Sequence, residues 1–205
     1  MRIGAESDAA QPAEAQRDLR RRLDALVRQH TDFVWRSLRS LGITLADCDD
    51  GCQRVWLVVA SKAASIEHDK ERSFIFSVLV RVAADMRRSR RRRPVELDED
   101  ALEPVASASL DAEAELERQR GRRLLDELLN ALSWELRTVF VMFEIEGLSS
   151  VEIAEALGVS RGTVASRLRI AREQFERGVQ RHQARARAEE SAPSLAARPA
   201  SRWFA

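Results

Sequence analysis

The chain has 205 residues, which is enough for one or two small domains, and its formal net charge is +1 although 33% of its residues are charged. Blocks of opposite charge must therefore lie in different parts of the chain. No apolar run is long enough to cross a bilayer and the N-terminal segment lacks the apolar core of a signal peptide, so we expect a cytoplasmic protein without membrane insertion.

The sequence predicts a disordered N-terminal segment at residues 1–14. Residues 15–93 are predicted to form a first domain of three helices. The first helix runs from about Glu14 to Leu41, and Gly42 ends it. Thr44 begins the second helix, with Asp47 as a weak capping partner. The third helix runs from about Arg72 to Arg92. Residues at helical spacing, apolar except for His30, predict the buried faces, and they are Leu19, Leu23, Leu26, Val27, His30, Val34, Leu38 and Leu41, then Leu45, Cys48, Cys52, Val55, Trp56 and Val59, then Phe74, Val78, Leu79, Val82 and Met86.

Three polar residues share another face of the second helix. Asp47, Asp50 and Gln53 follow one another at intervals of three, so they point outward together. One interpretation is a solvated acidic patch. The other is a docking surface for a basic partner.

Two blocks of opposite charge meet at Pro94. The third helix ends in Arg87, Arg88, Arg90, Arg91, Arg92 and Arg93, and Pro94 stops it. This run predicts a rigid basic ridge for nucleic acid, although a solvated tract would have the same composition. Residues 94–115 carry eight acidic residues and no Lys or Arg, which predicts a flexible linker between two domains; the acidic residues are Glu96, Asp98, Glu99, Asp100, Glu103, Asp111, Glu113 and Glu115.

Residues 116–180 predict a second helical domain that contains a helix-turn-helix. Its first helix carries a leucine stripe, and Ser133 caps the next helix, which ends at Gly147. Ser149 begins the third helix with a capping box, Gly158 forms the turn and Ser160 caps the last helix. The stripe consists of Leu124, Leu125, Leu128, Leu129 and Leu132.

The last helix of this domain has two contrasting faces. Val164, Leu168, Ala171 and Phe175 form its buried stripe. The other face carries Arg161, Ala165, Ser166, Arg169 and Arg172, with Arg167 at its edge. Such a helix suits the major groove of DNA, and the alternative is a helical hairpin with a solvated basic face. We expect residues 181–205 to form a disordered tail, in which Trp203 and Phe204 stand out.

No group of residues predicts catalysis or a metal site. Cys48 and Cys52 lie on an apolar stripe, which predicts buried reduced thiols rather than a metal or redox pair. His30, His68 and His182 are scattered. Because the chain also lacks a phosphate-binding glycine loop and a nucleophile signature, we expect no enzyme and no cofactor.

The chain resembles the two-domain sigma factors of the sigma-70 family, in the extracytoplasmic function group. In the first half, Asp47, Asp50-x-x-Gln53 and Trp56 resemble the acidic-glutamine motif of region 2, and Phe74-Ile75, Val78, Asp85 and Arg88 follow the spacing of its next helix. In the second half, the match to region 4 consists of Leu132-Ser133, Arg137, Gly147-Leu148-Ser149, Glu152-Ile153-Ala154, Leu157-Gly158, Gly162-Thr163-Val164 and Ser166-Arg167-Leu168. The resemblance covers roughly residues 16–180.

The resemblance implies an all-α fold with two small helical domains joined by a flexible acidic linker. It also implies that the protein binds core RNA polymerase, through the clamp helices and flap of the large subunits, and directs it to promoter DNA. The implied polymerase contacts are Asp47, Asp50, Gln53 and Trp56. The residues implied to engage and melt the −10 element are His68, Lys70, Arg81, Asp85, Arg87, Arg88 and Arg91. Those implied to read the −35 element are Arg161, Thr163, Ser166, Arg167, Arg169 and Arg172.

The chain departs from the family pattern at several of these positions. Phe74 replaces a common Trp, and Arg81 replaces an Asn associated with the melted strand, which changes the −10 contact expected there. Gly51 and Cys52 replace bulky aliphatic residues. Ala165 and Ile170 stand where basic residues are common, which shifts the expected base contacts to Arg161, Ser166, Arg167 and Arg169.

Three other functions remain open at this point. The main alternative is a stand-alone helix-turn-helix regulator that binds a palindrome in duplex DNA as a dimer; the docking motif and the acidic linker speak against it. The second is an interaction protein whose first domain binds a regulatory partner. The third is a nucleic-acid enzyme, which the missing catalytic residues disfavour. An anti-sigma protein would be a further partner under the family resemblance, although no residue identifies one.

Overall fold

A computed structural model describes residues 7–92 and 112–191, and within these ranges the chain forms helices joined by short turns, without a strand. The all-α prediction is therefore confirmed. In the first half, α1 spans Ser7–Ser40, α2 spans Leu45–Lys62 and α3 spans Glu71–Arg92, with short 3-10 turns at Ala63–Ser65 and His68–Lys70. In the second half, α4 spans Ala112–Asn130, α5 spans Trp134–Phe140 and continues through a π-helical turn at Val141–Ile145, α6 spans Ser150–Leu157 and α7 spans Arg161–Ser191.

Three helices extend further than the sequence predicts. Helix α1 begins at Ser7 rather than near Glu14, α4 begins at Ala112 within the predicted linker, and α7 continues to Ser191 into the predicted tail. The added segments are rich in Ala, Glu, Gln and Arg, which favour helix even where few apolar residues anchor them. The remaining parts of the predicted disordered segments, including Trp203 and Phe204, lie outside the described residues.

Helices α1, α2 and α3 pack around the predicted apolar faces. Leu38, Val55 and Leu79 are fully enclosed. Leu45 is the exception, because it is the first residue of α2 and remains 38% exposed. Gly51 allows α1 and α2 to approach closely, since a Cβ atom there would lie 2.9 Å from Cδ1 of Leu38.

The predicted helix-turn-helix is confirmed in its local detail. The Ser149 hydroxyl accepts a hydrogen bond from the Glu152 amide at 3.3 Å, and the Glu152 carboxylate accepts one from the Ser149 amide at 2.8 Å. These bonds to Ser149 hold the pKa of Glu152 below its usual value. Gly158 has φ +64°, and the Ser160 hydroxyl caps α7 by accepting from the Thr163 amide at 3.1 Å. The spacing of caps and glycine was thus sufficient to locate both helices.

Helices α5 and α7 pack against each other in the core of the second half. Val139, Val164 and Ala171 are fully buried, and the rings of Phe140 and Phe175 stack with centroids 4.7 Å apart. The leucine stripe of α4 is only partly enclosed. Leu129 and Leu132 are buried, whereas Leu125 remains 36% exposed, contrary to its predicted inward position.

The two halves of the described chain pack against each other, which the sequence did not predict. Six consecutive residues of α3, 75–80, are buried. A helix that is enclosed on all sides has neighbours on more than one side. Helix α3 contacts α1 and α2 on one side, and it also contacts α6 of the second half.

We expect Gly42→Ala to destabilise the fold by about 1–3 kcal/mol. Gly42 has φ +86°, and an added Cβ atom would lie 2.8 Å from a guanidinium nitrogen of Arg87 and 2.9 Å from one of Arg137. Gly121 in α4 is the matched control, because an added Cβ atom there would meet no atom within 4 Å. Gly121→Ala should stabilise the protein by about 0.5–1 kcal/mol. Equal unfolding midpoints in urea for Gly42→Ala and the parent would contradict the prediction.

Candidate nucleic-acid and protein interfaces

The outer face of α2 presents the predicted docking motif. Asp47, Asp50 and Gln53 are all exposed on it. Asp50 forms an ion pair with Arg54 at 2.7 Å, and Asp47 lies 4.0 Å from Arg90 at the end of α3. Each carboxylate is thus available to a partner but is partly neutralised by a flexible arginine. Such exposed pairs contribute little to stability and can exchange for intermolecular pairs.

The Thr44 side chain does not cap α2 as predicted. Its hydroxyl makes no capping hydrogen bond to the helix and instead donates to the Asp47 carboxylate at 2.8 Å. Thr44 therefore orients Asp47 within the acidic face. The chain begins α2 with extended backbone at Thr44, so the predicted position of the helix start is still correct.

Two apolar residues extend the outer face of α2 by one turn. Leu57 is 65% exposed and Val58 is 42% exposed, and Leu57 follows Gln53 by four residues. Residues 55–59 are all apolar, and one helix cannot turn five consecutive side chains towards the core. The sequence therefore already indicated that some of these residues, such as Leu57 and Val58, are exposed. Trp56 is half-buried with its indole N–H enclosed and without a hydrogen-bond partner among the described residues. Its ring therefore packs mainly against the core.

The connection between α2 and α3 carries the basic residues predicted for the −10 element. His68 and Lys70 are exposed on the second 3-10 turn. Lys70 forms an ion pair with Glu67 at 2.9 Å, and that hydrogen bond raises the pKa of Lys70. On α3, Arg81 and Arg91 are exposed, as are Asp85 and Arg88, which pair with each other.

Arg87 departs from the predicted basic ridge. It is half-buried, donates a hydrogen bond to the Leu41 carbonyl at 3.2 Å and lies over the Trp134 ring at 4.9 Å. Burial, followed by repulsion from Arg91, lowers the pKa of Arg87. In this arrangement Arg87 belongs to the contact between the two halves, and the exposed ridge consists of its neighbours in sequence.

Arg22 of α1 fastens the α2–α3 connection and was missed in the sequence. Its guanidinium donates to the Ile66 carbonyl and to the Glu71 carboxylate, the latter at 3.0 Å. Arg22 thereby holds the backbone just before His68 and the first residue of α3. A single arginine in the charged stretch of α1 gives no local signal for a contact with so distant a segment.

Helix α7 presents the predicted basic face. Arg161, Ser166, Arg169 and Arg172 are exposed, whereas Thr163 and Arg167 are half-buried. Thr163 takes part in the helix cap, because its hydroxyl lies 2.9 Å from that of Ser160.

The arginines of this face differ in their partners. Arg169 pairs with Glu173, and Arg172 pairs with Glu144 at 2.6 Å and lies over the Phe143 ring at 5.2 Å. Arg161 and Arg167 form no ion pair within the described ranges, which leaves their guanidinium groups available for base edges or phosphates.

The described residues contain no group of His, Cys, Asp and Glu that could hold a metal ion. Burial raises the pKa of the Cys48 thiol to about 12 and also raises that of Cys52, so neither thiol ionises near neutral pH. None of the helices in this part of the chain is both long and apolar enough to cross a membrane.

Two family models match these same halves. Sigma-70 region 2 matches residues 26–93, and Sigma-70, region 4 matches residues 122–175. The relative SigM of Mycobacterium tuberculosis, an ECF RNA polymerase sigma factor, is 30% identical over 155 residues, which are 75% of this chain and 75% of SigM. The ferric citrate uptake sigma factor FecI of Escherichia coli is 34% identical over 119 residues, 58% of this chain and 68% of FecI.

A third relative is longer than the matched region. The ECF sigma factor SigE of Mycolicibacterium smegmatis is 30% identical over 159 residues, which are 78% of this chain but only 62% of SigE.

Two solved structures share the fold. CnrH in complex with the cytosolic domain of CnrY has a TM-score of 0.58 at 24% identity, covering 78% of this chain and 89% of that chain. The sigma factor RpoE in complex with the anti-sigma factor NepR from Bartonella quintana has a TM-score of 0.56 at 22% identity. This match covers 75% of this chain and 96% of the RpoE chain.

Proposed function

The chain belongs to the sigma-70 family of RNA polymerase sigma factors, in the extracytoplasmic function group, and we propose that it binds core RNA polymerase and directs it to specific promoters. The first domain engages and melts the −10 element, and the second reads the −35 element. One observation carries this proposal: a single chain combines an exposed acidic face on α2 with a capped helix-turn-helix, and Arg161 and Arg167 of α7 form no ion pair within the described residues. This role would place the protein with the genome in the cytoplasm.

Docking on polymerase would use the outer face of α2. Asp50 and Gln53 offer a carboxylate and an amide at one turn's spacing, and Leu57 adds an apolar contact on the next turn. Charge complementarity with a basic partner would fix the orientation of the two proteins. Burial of the exposed Leu57 side chain in the interface would add to the binding free energy. The proposal thus extends the predicted contact set by Leu57 and Val58.

Strand capture would use the α2–α3 connection and the exposed part of α3. Opening a duplex costs stacking energy, and extruding a base into a protein pocket repays part of it. Phe74 and Ile66 line a groove beside Lys70, so apolar and cationic groups stand together there, as single-stranded DNA requires. Arg81, Arg88 and Arg91 would follow the phosphates.

The −35 element would be read by α7 in the major groove. The N-terminal residues of a recognition helix face the base edges, and Arg161, Ser166 and Arg167 occupy the first two turns. Arg172 lies one turn further on and is held by Glu144, which suits a contact to the DNA backbone rather than to a base.

Reconstitution with core polymerase tests the proposal. The purified chain is mixed with core polymerase from its own organism and transcribes fragmented genomic DNA, and the 5′ ends of the transcripts are mapped. We expect start sites that share two short sequence elements at nearly constant spacing, and no such starts with core polymerase alone. A chain that produces no starts but protects a palindrome in duplex DNA by itself would contradict the proposal and favour the stand-alone regulator.

A further inference from the structure

The connection between α2 and α3 is formed by short turns rather than by a regular helix. Two 3-10 turns, Ala63–Ser65 and His68–Lys70, are separated by Ile66 and Glu67 in extended backbone. Such short turns supply little hydrogen bonding of their own. Segments of this kind open locally at low free energy unless other elements hold them. The conformation of the connection therefore depends on contacts from outside it.

Ile66, between the two turns, is held at two points. Its side chain is buried in the first half. Its carbonyl oxygen accepts a hydrogen bond from Nη2 of Arg22, which belongs to α1. The side chain fixes how deeply the connection sits on the core, whereas the bond to the carbonyl fixes the direction of the backbone as it enters the second turn.

The same guanidinium nitrogen also holds the start of α3. Nη2 of Arg22 donates to the carboxylate of Glu71, the first residue of α3, at 3.0 Å. The two acceptors, on Ile66 and Glu71, flank the second 3-10 turn, so one side chain fixes the distance between its ends. The side chains of Arg22 and Glu71 are 22% and 17% exposed, so solvent screens their ion pair less than it screens a pair on the surface.

The other side of the connection forms a wall of the groove proposed for the −10 strand. Ile66 and Glu67 line this groove of about 260 Å³, together with Lys70 and Phe74. Arg22 is not one of the residues that line it, and lies instead in a separate groove between α1 and the first 3-10 turn. Its guanidinium can therefore shape the wall of the first groove without touching a bound base.

We propose that Arg22 is a positioning residue for −10 recognition, which holds the α2–α3 connection in one conformation and thereby sets which bases the groove accepts. The inference rests on the proposed function, because it requires that this groove receives the −10 strand. A wall that is already fixed loses little conformational entropy when a base enters. A wall that is free to move adapts to several bases, which reduces the difference in affinity between them. Removing Arg22 should therefore lower discrimination among −10 sequences more than it lowers initiation from the best of them.

Substitution of two adjacent arginines in the full-length chain tests this role. Arg22→Met removes the hydrogen-bond donors but keeps a long side chain. Arg21→Met is the matched control, because Arg21 is 80% exposed, pairs with Asp18 of the same helix at 3.7 Å and makes the same change in net charge. Each protein is reconstituted with core polymerase and transcribes one promoter library with a randomised −10 element and a second with a randomised −35 element. Hydrogen exchange of the free protein measures opening at residues 63–71.

We expect Arg22→Met to lower the preference for the favoured −10 sequence over its single-base variants at least fivefold, and to exchange amides in residues 63–71 at least tenfold faster than the parent. Its −35 preference and its affinity for core polymerase should stay within twofold of the parent, because neither surface contains Arg22. Arg21→Met should match the parent in every measurement. This separation of −10 from −35 preference is the result that a merely structural role would not produce.

Four other outcomes would contradict the inference in different ways. An unchanged −10 preference in Arg22→Met overturns the positioning role and leaves the proposed function intact. An equal fall in −10 preference, −35 preference and polymerase affinity also overturns it, because Arg22 would then only support the fold. A uniform loss of initiation across all −10 sequences would identify Arg22 as a phosphate contact instead. A parent protein without any −10 preference on core polymerase overturns the proposed function itself.

A second variant covers the case in which Arg22→Met does not fold. The single substitution leaves the Glu71 carboxylate largely enclosed without its cation, which is destabilising in itself. Far-UV circular dichroism identifies an unfolded protein. Arg22→Met combined with Glu71→Gln then decides, because the amide of Gln has nearly the shape of the carboxylate and needs no cation. The folded double variant should show the same loss of −10 preference, and retained preference would overturn the positioning role.

Discussion

Asp50→Arg is expected to weaken binding to core polymerase roughly 100-fold while the helical fold is retained. Asp50 lies on the outer face of α2 with about half of its side chain exposed, and its partner Arg54 is equally exposed. The substitution removes an attractive carboxylate and places two cations one turn apart on a face proposed to meet a basic surface. Like charges brought together in an interface cost several kcal/mol. A loss of about 3 kcal/mol in binding free energy corresponds to an affinity roughly 100-fold weaker.

The measurement is binding of the labelled protein to core polymerase by fluorescence anisotropy, with circular dichroism as the test of folding. Asp24→Arg is a suitable control, because Asp24 is also exposed but lies on α1. The two substitutions change the net charge equally, so only the location differs. If Asp50→Arg binds as tightly as Asp24→Arg, the outer face of α2 does not dock on polymerase.

The exposed face of α2 has a simple electrostatic design. Asp50 forms an ion pair with Arg54. The Asp47 carboxylate accepts a hydrogen bond from the Thr44 hydroxyl and lies 4.0 Å from Arg90. In the free chain these contacts offset the repulsion that a cluster of bare carboxylates would create. A basic partner would replace the arginines at small cost, because exposed ion pairs are screened and weak. Salt should therefore weaken docking.

Features formed within three or four residues could be predicted from the sequence. Ser149 and Glu152, Gly158, and Ser160 with Thr163 satisfy local backbone groups, so their spacing alone identifies the helix-turn-helix. The apolar faces of α1 and α3 could also be predicted, because buried residues recur at the period of the helix. Position on an exposed face was also predictable for Asp50, Gln53 and Arg169.

Contacts between the two halves could not be predicted in this way. A carboxylate beside Gly147 is normally a solvated turn residue, and only the folded chain shows that Glu146 meets Ser37 and Arg72. Similarly, Arg87 is one of several arginines in a run, and the sequence does not indicate that its side chain turns towards Leu41 and Trp134. Burial of charge depends on partners that are distant in sequence, whereas helical period and capping do not.

The arginines of α7 should differ in their contribution to promoter recognition. Arg161→Ala and Arg167→Ala together are expected to weaken binding of the −35 element by about 2–6 kcal/mol, because each forked contact to a base contributes about 1–3 kcal/mol. Arg167→Ala alone should give about half of this effect. Both side chains lack an ion pair in the described chain, so they form the DNA contact without first breaking one.

The contribution is measured by competition between promoters with intact and altered −35 elements in transcription with reconstituted polymerase. Arg177→Ala is the control, since Arg177 is exposed on the same helix about 15 Å beyond Arg167 and bonds the Glu173 carbonyl. We expect the double variant to lose preference for the intact element and Arg177→Ala to keep it. Retained preference in the double variant would exclude Arg161 and Arg167 from base recognition and would transfer that role to Ser166 and Arg169, the remaining exposed polar residues in the first turns of α7.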